Sequence, residues 1–337
     1  MRTDLLLDII KGAVRPSVKT SAWLLRLMLP ISLTVQLLQY FGVIAWLATW
    51  LNPVFSYLGL PGASAIAFMT AAGVTTYAGF AVMLSMTLTM RQATIIAIMA
   101  LICHALPMES AVVKKVGSKP FRMALLRIGA AFLAAVYLNL VLPEMPETFG
   151  GMQSVSSPES VIDVIMTWFY SSIKLSAMII GLIFGLMVIQ RVMDDLGIMY
   201  KLVRPLRPLM KFFGLPENAA YLWLVGNILG ISYGSAAMLA LEESGQITKE
   251  EADEVNYHLI MNHSMLEDTM VFATQGISAI WILSTRILFA FALVWGKKAM
   301  AYLVINTRTK EHPQTRRLGK VYRYSLLNHN SNTGSEI

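Results

Sequence analysis

The chain has 337 residues, of which 56% are hydrophobic and only 14% are charged, and its formal net charge is +7. A soluble domain carries about 25% charged residues, so this composition excludes an ordinary soluble globular protein. Apolar runs recur along the chain, and about 20 such residues suffice for a membrane-spanning helix. The fold class is therefore predicted to be an all-α polytopic membrane protein.

In chain order, residues 1–20 are predicted to form an amphipathic interfacial segment on the inner membrane surface. Six crossings and two re-entrant helical hairpins follow, the hairpins at residues 92–113 and 255–275. Pro107 interrupts the first hairpin, and broken backbone at membrane depth must be buried in protein or line a wet cavity. Two short spans in place of each hairpin would preserve the same parity. The crossings are predicted at residues 22–48, 63–84, 121–142, 163–190, 217–241 and 277–296.

The two halves of the chain resemble each other. "GVIAWLATWLNPVFSYLGLP" at 42–61 matches "GIMYKLVRPLRPLMKFFGLP" at 197–216 with a constant offset of 155 residues. Rare polar residues match in the same order, in the pairs Tyr77 and Tyr233, His104 and His263, Glu109 and Glu267, and Arg127 and Arg286. Hydrophobicity alone would not align such residues, so the pattern indicates an internal duplication.

Lys and Arg near span ends mark the cytoplasmic side of a membrane protein. The basic residues 112–122 and 200–213 are therefore placed inside, as is Arg91 after the crossing 63–84, and residues 143–160, which have no Lys or Arg, are placed outside. The acid-rich residues 242–254 are also placed outside. Because equivalent segments then lie on opposite sides, the two halves form an inverted-topology repeat.

The protein is predicted to be integral to the plasma (inner) membrane, with both termini in the cytoplasm. The lipid bilayer is the main partner, a homo-oligomer is left open, and the basic tail is taken as a cytoplasmic marker and not as a nucleic-acid site. The predicted segments are the interfacial residues 1–20, a first repeat at 21–142, an extracytoplasmic linker at 143–162, a second repeat at 163–296 and a basic cytoplasmic tail at 297–337.

Ionisable side chains inside a bilayer cost about 2.5–3.5 kcal/mol or more each, so they need a partner or a role. The predicted substrate- or ion-binding residues are His104, Glu109, His263, Glu267, Asp268, Tyr77 and Tyr233, with Thr76, Asn227, Ser232, Arg127 and Arg286 as secondary candidates. His and carboxylate groups suit transition metals, so His104, Glu109, His263 and Glu267 are candidate metal ligands. His263 and Glu267 are predicted to share one helix face.

Alternatives stay open for three sets of charged groups. The His and acid residues could pair with each other or cap the hairpin ends. Arg127 and Arg286 could clamp an anion, pair with Glu109 and Glu267, or snorkel to the interface. Lys174 is expected to snorkel or to form a structural ion pair.

The strings "GLPGASAIAFMTAAGVTTYAG" with "HALPMESAVVKKVG", and "GLPENAAYLWLVGNILGISYGSAA" with "NHSMLEDTMVF", resemble the nucleoside-recognition, or Gate-domain, membrane proteins. The resemblance covers about residues 25–140 and 180–295, and so implies two Gate units in one chain. The family is distantly similar to concentrative nucleoside transporters, to the membrane domains of B-type ferrous-iron permeases and to spore-maturation membrane proteins. It implies a solute pathway gated by paired hairpins.

The leading hypothesis is a permease for a small polar solute or ion, either a nucleoside-like solute or a divalent metal, bound between two hairpins near the midplane. Coupling to H⁺ or Na⁺ is expected, without a resident cofactor. An enzyme is not predicted, because no nucleophile–base pair is recognisable. The alternative is a non-transporting scaffold or regulatory protein of the spore-maturation type, which a closed core with both acidic motifs neutralised by Arg127 and Arg286 would favour.

Overall fold

The structure, a computed structural model, describes residues 3–149 and 160–311. Within these ranges the chain is α-helical, apart from one 3₁₀ turn and one isolated β-bridge. Five helical stretches are long and apolar enough to cross a membrane: Asp8–Tyr40, Met90–Lys115, Pro120–Val141, Val161–Met193 and Ala279–Val304. The predicted all-α polytopic fold class is confirmed.

Seven helices in the first half correspond in order to seven in the second. The first set is α1 (Thr3–Tyr40), α2 (Val43–Ser56), α3 (Ser64–Gly73), α4 (Thr76–Leu84), α5 (Met90–Ile102), α6 (Leu106–Lys115) and α7 (Pro120–Val141). The second set is α8 (Val161–Asp195), α9 (Ile198–Phe212), α10 (Ala220–Leu229), α11 (Ile231–Glu243), α12 (Lys249–Asn262), α13 (Met265–Ala273) and α14 (Ala279–Glu311), and the 3₁₀ turn Glu217–Ala219 precedes α10.

Equivalent helices begin with equivalent local signals. A capping box opens α5, where the Thr89 hydroxyl accepts from the backbone N–H of Gln92 and the Gln92 side chain accepts from that of Thr89. Thr248 and Glu251 repeat this arrangement at the start of α12. Such boxes satisfy two backbone donors that a helix start leaves unpaired, so the sequence fixes both starts in the same way.

The pair α3 and α4 forms a helical hairpin. A Cβ added at Gly79 would lie only 2.5 Å from the Ala71 Cβ atom and 2.9 Å from the Ala67 carbonyl oxygen. In one continuous helix, residues eight apart are separated by about 12 Å, so the chain must turn back after Gly73. The small side chains at these positions allow the close approach.

The pair α10 and α11 forms the equivalent hairpin in the second half. A Cβ added at Gly234 would lie 3.0 Å from the Gly226 Cα atom. Asn218, before α10, donates to the carbonyl oxygen of Gln246, after α11, at 3.0 Å, so both ends of the hairpin lie together.

The hairpins were therefore predicted in the wrong segments. Residues 63–84 and 217–241, predicted as crossings, hold the hairpins, whereas 92–113 and 255–275 hold the interrupted helices α5–α6 and α12–α13. Among the described helices, α5 and α6 do not pack side by side, and together they form the candidate span Met90–Lys115. An apolar stretch of about 20 residues fits either one crossing or two short antiparallel helices, which hydropathy does not distinguish.

Two loops consequently lie at the end opposite to their prediction. The backbone N–H of Met90 donates to the carbonyl oxygen of Glu147 at 2.6 Å, which places Arg91 at the same end as residues 143–149 and not across the membrane from them. Asp253 accepts from the Ser118 hydroxyl at 2.8 Å and from the Lys297 ammonium at 2.9 Å. The acid-rich residues 242–254 thus share an end with the basic residues 112–122. We call this the basic end.

Two predicted segments are only partly described. Residues 3–20 are the first turns of the continuous helix α1 and do not form a separate helix. In the predicted linker, residues 150–159 lie outside the described ranges, as do residues 312–337 of the predicted tail.

Candidate functional site

The candidate site lies where the interrupted helices α5–α6 and α12–α13 break. Ala105 and Ser264 follow the breaks and are the non-glycine residues with positive φ in the described chain, at 45° and 53°. Such conformations cost about 1–3 kcal/mol each and cluster at functional sites. The N–H of Ala105 donates to the Ala71 carbonyl at 2.9 Å, and that of Ser264 to the Gly226 carbonyl at 3.1 Å, so each break is held by the neighbouring hairpin.

The two breaks bring His104, His263 and Glu109 together. The His104 and His263 Nε2 atoms lie 3.0 Å apart, and they lie 3.0 Å and 3.2 Å, respectively, from the Glu109 Oε1 atom. All three residues are buried, with 1–6% of their surface exposed. One atom from each side chain therefore forms a nearly equilateral triangle at the contact between the repeats.

Hydrogen bonds to the backbone assign the histidine tautomers. His104 Nδ1 lies 3.1 Å from the Leu101 carbonyl oxygen, and His263 Nδ1 lies 2.7 Å from that of Leu259. Because a carbonyl oxygen only accepts, each Nδ1 carries the hydrogen, and the Nε2 of a neutral ring presents a lone pair. The triangle then consists of three acceptors and no donor.

Three acceptors this close together require a positive species among them, either an added proton or a metal ion. Atoms separated by 3.0–3.2 Å can all lie about 2.0–2.1 Å from one ion, which is the Zn–N distance range. Within the described residues, these three form the group whose ligand atoms lie close enough to hold a metal. Glu267, the fourth predicted metal ligand, is not part of it.

At each helix break, a buried arginine donates to a backbone carbonyl and to an acidic side chain. Arg127 donates from Nε to the Ile102 carbonyl at 2.8 Å and from Nη1 to Glu109 Oε2 at 2.5 Å. Arg286 donates from Nε to the Met261 carbonyl at 3.0 Å and from Nη1 to Asp268 Oδ2 at 3.2 Å. Both arginines are at most 2% exposed, so the snorkelling alternative is wrong.

The sequence predicts Glu267 as the equivalent of Glu109, but the structure shows that the equivalent acid is Asp268. Asp268 pairs with Arg286 as Glu109 pairs with Arg127, and the same offset of 159 residues relates His104 to His263. Glutamate is one methylene longer than aspartate, and Glu109 reaches both its arginine and the histidine pair. The predicted shared helix face for His263 and Glu267 is also wrong, because His263 ends α12 and Glu267 lies in α13.

Glu267 contacts the other repeat through Tyr77. The Tyr77 hydroxyl donates to Glu267 Oε1, and the rings of Phe80 and Phe272 pack edge-to-face one helical turn away, with centroids 5.0 Å apart. Thr76 is buried in the first turn of α4. The side chains of Ser232 and Tyr233 lie outside the described part of the structure, although α11 includes their backbone.

Buried polar atoms without a hydrogen-bond partner occur in both repeats, and in the second repeat several belong to side-chain amides and hydroxyls. Asn227 donates to the Trp223 carbonyl at 2.8 Å, but its Oδ1 has no partner among the described residues. Both amide atoms of Asn262 and the Thr269 hydroxyl are also unpaired there. Leaving a buried polar group unpaired costs about 1–3 kcal/mol. Asn262, which directly precedes His263, was missed in the sequence, although a polar residue beside a buried histidine could have indicated it.

Fold and site together define a polytopic membrane protein whose two inverted repeats share a buried polar centre. Residues 22–119 match the protein-family model named Gate and described as nucleoside recognition, which confirms the resemblance for the first of the two predicted units. The chain is 29% identical over 277 residues to the uncharacterized membrane protein YvoD of Bacillus subtilis (strain 168), a match that covers 81% of this chain and 89% of YvoD. No solved structure matches the chain significantly. The protein is thus an integral membrane protein, and its residues 22–119 are similar to the Gate domain.

Proposed function

We propose that the protein is a membrane permease and that its cargo is a divalent transition-metal ion bound by His104, Glu109 and His263. The supporting observation is the donor-free triangle formed by these residues. Two neutral imidazoles and one carboxylate are a ligand set that suits such metals. The basic end would face the cytoplasm, following the distribution of Lys and Arg.

A metal fits this centre better than a nucleoside-like solute. A hydroxyl group carries one hydrogen and could donate to only one of the three acceptors, whereas a metal ion binds all three at once. Arg127 shares Glu109 and brings a positive charge close to the ion. That charge opposes tight retention, as release from a carrier requires.

The two repeats would supply the transport movement. Each contributes one hairpin and one interrupted helix, and the hairpins enter from opposite ends. The centre contains one histidine from each repeat, so relative movement of the repeats would change its access. This is the general plan of carriers built from inverted repeats.

The scaffold alternative also has an observation in its favour. The two equivalent acids are both neutralised: Glu109 pairs with Arg127, and Asp268 pairs with Arg286. This closed, paired arrangement is what a non-transporting regulatory protein would show. It accounts for the facing lone pairs of the two histidines only if an added proton lies between them.

Uptake by proteoliposomes tests the proposal. We expect saturable uptake of Fe²⁺, Mn²⁺ or Zn²⁺ by the wild type, and a loss of about tenfold or more in His104→Gln and in His263→Gln, because each removes one ligand. These variants keep the ion pair of Glu109. His258→Gln is the matched control: His258 is also buried in α12, but it accepts from the Trp223 indole at 3.2 Å, away from the centre.

The outcomes separate the alternatives. Uptake that is equally reduced in all three variants would point to damaged folding and contradict the ligand assignment. Uptake of labelled uridine, but of none of the metals, would favour the nucleoside-like solute. Folded wild-type protein that takes up none of these would favour the scaffold.

A further inference from the structure

A cavity of about 560 Å³ has none of the three residues of the histidine centre in its lining. Its walls are the long helices α1 and α8, the end of α4 and the residues that follow α13. Sites for small organic ligands typically have volumes of about 300–1,000 Å³, so this cavity could hold a metabolite-sized molecule. We call it the α1–α8 cavity.

The charge of the α1–α8 cavity comes from one lysine. Lys174 lines it together with hydroxyl and amide groups, including Ser32, Gln36 and Gln275, and none of its lining residues is acidic. In the described ranges no carboxylate lies within 4.0 Å of the Lys174 ammonium, so the structural ion pair expected for this residue is not observed there. The Lys174 side chain is exposed, so a ligand that enters the cavity can reach its ammonium group.

One wall of the same cavity is apolar and includes an indole ring held by a hydrogen bond. Trp168 donates from its indole nitrogen to the Ser32 hydroxyl at 2.9 Å, which joins α8 to α1 and fixes the ring. Leu84, Leu175 and Met178 add further apolar surface. An inorganic anion would use the lysine and the polar groups but not this wall, whereas an organic anion would use both.

We propose that the α1–α8 cavity binds a small organic anion, with Lys174 as the counter-charge of its carboxylate and Trp168 against its apolar part. The proposal does not depend on metal transport. Ala81 in the cavity wall lies one helical turn after Tyr77 in α4, so the cavity and the Tyr77–Glu267 contact share this helix.

Equilibrium dialysis of the purified full chain in detergent tests this proposal, with radiolabelled benzoate as the organic anion, benzamide as its neutral analogue and inorganic phosphate as the anion without an apolar part. We expect saturable benzoate binding by the wild type, weakened about tenfold or more by Lys174→Gln, the worth of one charge-assisted contact. Lys174→Arg keeps the charge and should restore most of the binding. Lys19→Gln is the control, because Lys19 is the equivalent lysine of α1 and does not line the cavity.

Each outcome decides the proposal. No benzoate binding by the wild type, or equal binding by wild type and Lys174→Gln, overturns it. Benzamide binding as tightly as benzoate removes the role of the charge, and phosphate binding as tightly removes the role of the apolar wall. Metal binding at the histidine centre should be unchanged in Lys174→Gln, so failure here and failure of the proposed function are distinguishable.

Discussion

Replacing Arg286 by methionine should destabilise the fold far more than replacing an arginine on the surface. Arg286 has no exposed surface, and it donates to Asp268 and to the carbonyl oxygens of Met261 and His263, the latter at 2.5 Å. The substitution leaves a buried carboxylate without its counter-charge and two carbonyls without their donor. All three consequences fall on the second helix break.

The size of the effect follows from these contacts. Removing one partner of a buried ion pair costs about 3–5 kcal/mol, chiefly because the other charge stays buried and unpaired. The double variant Asp268→Asn/Arg286→Met removes both charges and should recover about 2 kcal/mol of that loss. Arg191→Met is the matched control. Arg191 pairs with Asp195 at 3.6 Å, but both side chains are more than a third exposed, so its loss should cost about 0.5 kcal/mol or less.

The lone cysteine supplies the assay. Cys103 is buried beside His104 at the first break, so a thiol reagent should label it only when the core opens. Labelling across an SDS titration in mixed micelles then gives the free energy of unfolding of each variant. A loss for Arg286→Met no larger than that for Arg191→Met would refute the assignment of Arg286 as a stabilising residue of the second helix break. A loss for the double variant that equals the sum of the losses for Asp268→Asn and Arg286→Met would refute it as well.

Three further predictions use the same titration. Gly79→Ala should cost about 1–3 kcal/mol because the added methyl meets the facing helix of the hairpin. Gly73→Ala is the control and should be neutral or stabilising, because the space around Gly73 is open. Equal effects of the two substitutions would contradict the hairpin. Tyr77→Phe should destabilise by about 1–3 kcal/mol, but by much less in a Glu267→Gln background, where the charged acceptor is gone; additive losses would exclude their hydrogen bond. Asp253→Asn should cost about 1 kcal/mol or less, because its ion pairs are partly exposed, and the loss should shrink at high salt; a salt-independent loss would contradict that origin.

The repeat can be predicted because rare residues recur in the same order in both halves, at offsets of 155–159 residues. The capping boxes of α5 and α12 and the positive-φ residues Ala105 and Ser264 show that the repeats share local backbone geometry as well as hydropathy. Matching residue types pairs Glu109 with Glu267, whereas the offset of 159 residues that relates His104 to His263 pairs it with Asp268.

Hydropathy does not locate the hairpins. The outside position predicted for residues 242–254 depends on a crossing at 217–241, whereas the α10–α11 hairpin returns the chain to the end from which it enters. Asp253 in fact neutralises Lys297 at the basic end. The close approach of Gly79 to Ala71, which closes the first hairpin, depends on the absence of side chains.

The meeting of the two histidines was foreseeable, since equivalent residues near an axis of internal symmetry tend to face each other. The asymmetry around them was not. Only Glu109 reaches both histidines, because one extra methylene lets a glutamate bridge two partners where Asp268 contacts its arginine. Distances of this order depend on packing that residue spacing does not encode.

The most direct test of the histidine centre is Co²⁺ titration of the purified protein, monitored by visible absorption, because the d–d bands report ligand type and geometry. The account predicts about one ion bound per chain, with bands that are lost in His104→Gln and in His263→Gln and retained in His258→Gln. Bands that persist in the first two variants, or no bound Co²⁺ in the folded wild type, would contradict it.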